Sequence, residues 1–159
     1  MGREVRRVPK NWEHPKNKDG NYIPLLNWHY TEMVFKWKED KEKWDKEQHE
    51  NDEEFYDNYG NFPKEEHYMP EWDDKDCTHY QMYENVSEGT PISPVKESPE
   101  ELAKWLADNK ANAGFMSTAS YEAWLNICYG EYAPSGILIN GKVFNGVEGA
   151  KEIKKQIEE

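Results

Sequence analysis

The chain has 159 residues, a net charge of -12 and a mean hydropathy of -1.15, and no apolar stretch approaches the ~20 residues a membrane span needs. That excludes a helical membrane protein, and the negative field weighs against direct binding to nucleic acid. Only 36% of residues are hydrophobic, but 14% are aromatic, so the expected core is built on Trp, Tyr and Phe rather than on aliphatics.

The charge is uneven. Residues 1–38 carry eight basic and four acidic side chains, residues 39–76 five and sixteen, and residues 77–159 seven and twelve. The middle stretch holds nearly all the excess. Its plain reading is a solvated surface that keeps the chain soluble; its functional reading is a surface that attracts a basic partner. Cys77 and Cys128 are the only cysteines, and no signal-peptide pattern precedes the first charges. Two isolated cysteines in such a chain read as reduced thiols in a cytoplasm. The sequon Asn85-Val86-Ser87 is then idle.

Taken in order, residues 1–27 contain Pro9, Pro15, Gly20 and Pro24 and read as an irregular N-terminal arm. Arg3, Arg6, Arg7 and Lys10 make it basic, as a counterweight to the acidic stretch or a contact for phosphate. Residues 28–50 lack Gly and Pro and predict a charged helix, with a narrow apolar stripe at Met33, Trp37 and Trp44. Residues 51–76 are rich in Asp, Asn, Gly and Pro and read as loop, punctuated by aromatics from Phe55 to Trp72. Residues 1–27, 28–76 and 77–159 are thus three segments of what is expected to be one structural domain.

Residues 78–86 alternate and predict a strand. Ser98-Pro99-Glu100-Glu101 is a helix start, with Ser98 as cap, Pro99 at the first position and Glu101 completing a capping box. A second helix is expected after Thr118, with Tyr121, Trp124, Leu125 and Cys128 on one face. Gly136 to Phe144 reads as a hairpin turned on Asn140-Gly141, the pair a type I′ turn favours. A terminal helix is expected over residues 148–157. These elements give an α+β fold: a small antiparallel sheet with helices packed on one face, plus the arm and the charged helix.

The run Tyr80-Gln81-Met82-Tyr83-Glu84-Asn85-Val86-Ser87-Glu88-Gly89-Thr90-Pro91-Ile92-Ser93-Pro94 is followed by Glu100-Glu101-Leu102-Ala103-Lys104-Trp105-Leu106-Ala107. With Ala133-Pro134-Ser135, Gly141 and Gly146-Val147, it resembles an uncharacterised family of small proteins encoded by bacteriophages and prophages. The likeness covers residues 80–147, about half of the chain. It implies an accessory protein acting in the cytoplasm of a bacterial host cell, and it brings no activity or catalytic residue with it.

Chemistry is sparse. His79 and Ser87 lie eight residues apart, roughly 25 Å along a strand at ~3.3 Å per residue, too far for a nucleophile–base pair unless the chain folds back. Cys77, His79 and His67 lack the paired spacing of a zinc site. Asp73, Asp74 and Asp76 lack the Gly and closing Glu of a calcium loop. No cofactor or metal is expected, and the chain reads as a binding protein rather than an enzyme. The expected partner is a host protein with a basic surface, with no direct nucleic acid and no membrane. An anti-defence inhibitor of a nucleic-acid-binding effector fits that description. Residues marked for the contact are Asp52, Glu53, Glu54, Asp57, Tyr59, Trp72, Asp73, Asp74, Glu84 and Glu88: carboxylates for steering, aromatics for anchoring. Two alternatives stand beside it, a small-ligand binder or hydrolase with a pocket around residues 84–94, and a phage assembly factor.

Overall fold

A computed structural model describes residues 2–85, 89–130 and 132–159. The chain divides into two compact units, Met1–Pro24 with Trp72–Glu159, and Leu25–Glu71.

The first unit is built on a four-stranded antiparallel sheet. Strands β1 (Arg3–Val8) and β2 (His79–Glu84) form its centre, with β3 (Thr90–Pro91) beside β2 and β4 (Tyr132–Ala133) beside β1. Helices α3 (Pro99–Asp108) and α4 (Tyr121–Gly130) lie on one face, where Val5 and Met82 meet Leu102, Leu106, Trp124, Ile127 and Cys128. Trp124 is fully buried, the largest side chain in that core. The capping signal before α3 is real. Ser98 accepts from the Glu101 amide, while the Glu101 carboxylate reaches back to the amide of Glu97 rather than to that of Ser98. Helix α4 starts at Tyr121 because the Ser120 hydroxyl accepts from the Ala123 amide.

The predicted hairpin is strands β5 (Gly136–Ile139) and β6 (Lys142–Asn145), joined by Asn140 at φ 48 and Gly141 at φ 78, the left-handed pair that a type I′ turn requires. It makes a separate two-stranded sheet. Helix α5 (Gly146–Glu158) packs against it, with Asn145 accepting from the Glu148 amide at the helix start. Gly146 is a close-approach position: a Cβ there would lie 1.6 Å from the Pro134 carbonyl oxygen. Pro134 and Gly146 therefore mark a close backbone contact.

Residues 1–27 differ from the irregular arm that the sequence suggests. Arg3–Val8 is an inner strand, because its charges are answered within the fold. Arg6 pairs with Glu4 at 2.7 Å and lies over the Tyr83 ring at 4.1 Å, and Arg3 donates from Nε to the Asn112 carbonyl. Only past Pro9 does the chain lose regular structure, with one isolated bridge between Lys16 and Tyr22. This stretch sends Trp12 and His14 to the Tyr83 hydroxyl on the sheet face opposite the helices.

The second unit is a helical hairpin of α1 (Tyr30–Asp45) and α2 (Glu53–Tyr59). The parallel bridge of Leu26 to Tyr68 brings its two ends together. Helix α1 realises the expected charged helix, and the Glu71 carboxylate takes the Thr31 amide and hydroxyl at its start. Helix α2 lies where the composition reads as loop. Asn51 accepts from the Glu53 amide at one end, and Gly60 at φ 74 stops the other. A single 3-10 turn at Glu65–His67 completes this unit, and another at Asp74–Asp76 belongs to the first.

Candidate functional site

The hairpin of the second unit is where charge and aromatic surface coincide. Leu25–Glu71 holds fourteen acidic and six basic residues, and ten of the chain's 22 Trp, Tyr and Phe. Its interior is thin. No residue of α1 is buried, and Phe55 is the one fully buried large side chain. Around Phe55 stand Tyr59 at 4.9 Å in a near-parallel stack, Trp37 edge-on at 5.4 Å and Trp44 at 5.8 Å between ring centroids. The Lys41 ammonium lies 5.3 Å from the same ring. Aromatic geometry of this kind adds on the order of 0.5–1.5 kcal/mol per pair beyond burial.

The rest of the aromatic surface faces outward. Met33, Trp37, Tyr59, Phe62 and Tyr68 line an open groove of about 570 Å³ with Asp40 among its walls. Trp37 is held in that wall by its indole, which donates to the Gly60 carbonyl at 3.0 Å. Met33 and Trp37 of the apolar stripe thus line a groove, Trp37 while also packing edge-on to Phe55. On α2 and the preceding loop, Glu53, Glu54 and Asp57 border an acidic hollow of about 480 Å³ with His49. The His49 ring stacks on Trp44 at 3.4 Å, 5° from parallel.

Of the ten residues marked from sequence, α2 and its leading residue bring five together. Glu53, Glu54, Asp57 and Tyr59 are exposed beside one another. Asp52 is also exposed but has work inside the hairpin: it accepts from the Trp44 indole at 3.2 Å and pairs with Lys41 at 3.3 Å. Trp72, Asp73 and Asp74 belong to the other unit, where Trp72 sits edge-on to Trp12 at 4.9 Å and Asp73 pairs with Lys75. Glu84 is opposite Arg3 in the β1–β2 register, and its charge favours the charged state of that buried guanidinium against the burial that lowers its pKa. Glu88, with Val86 and Ser87, lies outside the described residues. Met33, Trp37, Phe62 and Tyr68 were not among the ten, although spacing had already set Met33 and Trp37 on one helical face.

In the described part of the 84–94 loop, the polar groups of Ser93 are tied to β2 and to the next residue. Ser93 accepts from the Met82 amide and donates to the Pro94 carbonyl, and its own carbonyl accepts from the Gln81 amide nitrogen. Thr90–Pro91 pairs with β2. Burial pushes the Cys128 thiol up to about 12 and the Cys77 thiol above its usual value, so both stay protonated near neutrality and are poor nucleophiles. Among the described residues no group of His, Cys, Asp and Glu is arranged to hold a metal ion, and no helix is long and apolar enough to cross a membrane. No family model, curated protein or solved structure matches the chain.

Proposed function

We propose that the chain is a non-enzymatic binding protein whose α1–α2 hairpin docks on a basic surface of a protein partner. The observation that carries this reading is the coincidence on one 47-residue unit of an open aromatic groove and an eight-charge acidic surplus. Carboxylates on the rim steer a basic partner and raise the encounter rate. Aromatic walls supply large contact area at little entropic cost and set the off-rate. The likeness to phage-encoded proteins supports a host protein as that partner. A surface evolved to hold nucleic acid offers the basic groove such a hairpin fits, which supports an anti-defence role. The pocket reading around residues 84–94 is less well supported, because Thr90, Pro91 and Ser93 are committed to the sheet.

Affinity capture from a bacterial lysate, run in parallel with wild type and the E53K/E54K/D57K variant, tests the proposal. Proteins retained by the first and lost by the second are the expected result, with the helical spectrum of the two indistinguishable. Asp52 is left intact because it ties α2 to α1. Equal capture by both chains would refute docking through this surface.

A further inference from the structure

The sheet face opposite the helices carries a buried network that is one proton short. The Tyr83 hydroxyl is fully buried and has three neighbours at hydrogen-bonding distance: Trp12 Nε1 at 3.1 Å, His14 Nδ1 at 2.9 Å and Gln81 Oε1 at 3.0 Å. Two of these have fixed roles. An indole nitrogen only donates. The Gln81 amide nitrogen donates to the Ser93 carbonyl at 2.9 Å, which leaves its oxygen, a pure acceptor, toward Tyr83. His14 is fixed from its other side: Nε2 lies 2.6 Å from the Ile23 carbonyl, which cannot donate, so Nε2 carries the proton. In a neutral imidazole Nδ1 is then bare, and the single phenolic proton faces two acceptors.

An imidazolium would supply the missing proton at Nδ1, but its surroundings oppose the charge. Arg6 and Glu4 face it from β1, Tyr83 and Gln81 from β2, and Trp12, Tyr22 and Lys16 from its own segment. Glu4 is the one anion among these, and it is already paired with Arg6 at 2.7 Å. Burial first, and Arg6 after it, hold the His14 imidazole below the ordinary value of 6.5, against the Ile23 carbonyl that favours its charge.

We infer that His14 is a proton-sensitive latch for residues 9–24: neutral, it fastens this segment to the sheet by joining the Ile23 carbonyl to the Tyr83 hydroxyl, and protonated, it lets the segment lift. Release answers the buried charge by returning it to water, and it uncovers Arg6, Gln81 and Tyr83.

The test is a pH titration of the intact, isotope-labelled chain by nuclear magnetic resonance, following the imidazole nitrogens and the backbone amides together. His14 is expected to titrate with its midpoint below 6.5, and the Gly20 and Ile23 amides to lose their native positions at that same midpoint. The Leu102 and Ile127 amides of the core are expected to stay in place. His14→Gln should abolish the response of the segment. Tyr83→Phe, which removes the hydroxyl and keeps the ring, should move the His14 midpoint upward because the neutral form loses its donor, and this variant carries the test if the first does not fold. The latch is overturned if His14 titrates at or above 6.5 with the segment unmoved, if it protonates in place without displacing Gly20 and Ile23, if the response persists in His14→Gln, or if the core amides move with the segment.

Discussion

The Tyr83 hydroxyl joins strand β2, the Trp12 indole and the His14 ring at one buried point. Tyr83→Phe leaves those groups with a missing partner and is expected to cost about 1–3 kcal/mol, read as a lower midpoint in urea. Gly146 fails for a different reason. The Pro134 carbonyl occupies the space of a Cβ, and backbone on both sides cannot give way as a side-chain tip would. Gly146→Ala is expected to destabilise by about 1–3 kcal/mol or more, and the loss should appear in thermal unfolding of the first unit. Neither residue announces its role in the sequence. Tyr83 sits in an alternating run that fixes which side it faces, while the covering groups arrive from residues 9–24, and burial cannot be read from a strand's own pattern.

At the scale of elements, legibility followed the strength of local signals. The cap at Ser98 and the turn at Asn140-Gly141 are decided within a few residues, so α3 and the hairpin stand close to where the sequence puts them. Strand β1 is hidden because its two valines fall on opposite faces, each among charged side chains, so no apolar alternation marks it. Arg3 and Arg6 are buried on opposite faces, each held by partners distant in sequence or by a cation–π contact. Helix α2 is hidden because a seven-residue helix with three acids and an Asn has little intrinsic preference, and Phe55 supplies what holds it. Phe55→Ala is therefore expected to cost about 3–5 kcal/mol and to release α1 and α2 while the four-stranded sheet persists, a split visible as selective loss of amide protection in Leu25–Glu71. Glu71 gives the same unit an acid sensitivity. Its hydrogen bonds from the Thr31 side chain and amide hold the carboxyl below its usual 4.5. A depressed folded value means that the stabilisation is present above the unfolded value and is lost as pH falls through the folded one. Protection at the start of α1 should fall over that range, and Glu71→Gln should remove the dependence.

For the whole molecule, the two units differ in what holds them. One has an aliphatic and aromatic core under a sheet; the other has a single buried ring under a charged, aromatic surface. A unit that keeps so much aromatic area outside gives up stability it could have had from burial, which is the physical reason to read it as a contact surface. The acidic and aromatic residues were visible in the sequence one by one. What only the fold supplies is their sorting: Glu53, Glu54 and Asp57 around one hollow, Trp37, Tyr59 and Phe62 around a groove, and Trp72, Asp73 and Asp74 in the other unit. In the complex, Phe62→Ala is expected to raise the off-rate about tenfold or more with little change in the on-rate, since a truncated anchor at an interface centre costs on the order of 2 kcal/mol.

Docking through the acidic hairpin is tested most directly by binding kinetics against the captured partner at a series of salt concentrations. Exposed charges are screened over ~8 Å at physiological ionic strength, so the on-rate of the wild type should fall steadily as salt rises. The E53K/E54K/D57K variant should start from a much lower on-rate and show little further dependence on salt. An on-rate that ignores salt, together with unchanged binding by the triple variant, would contradict the account.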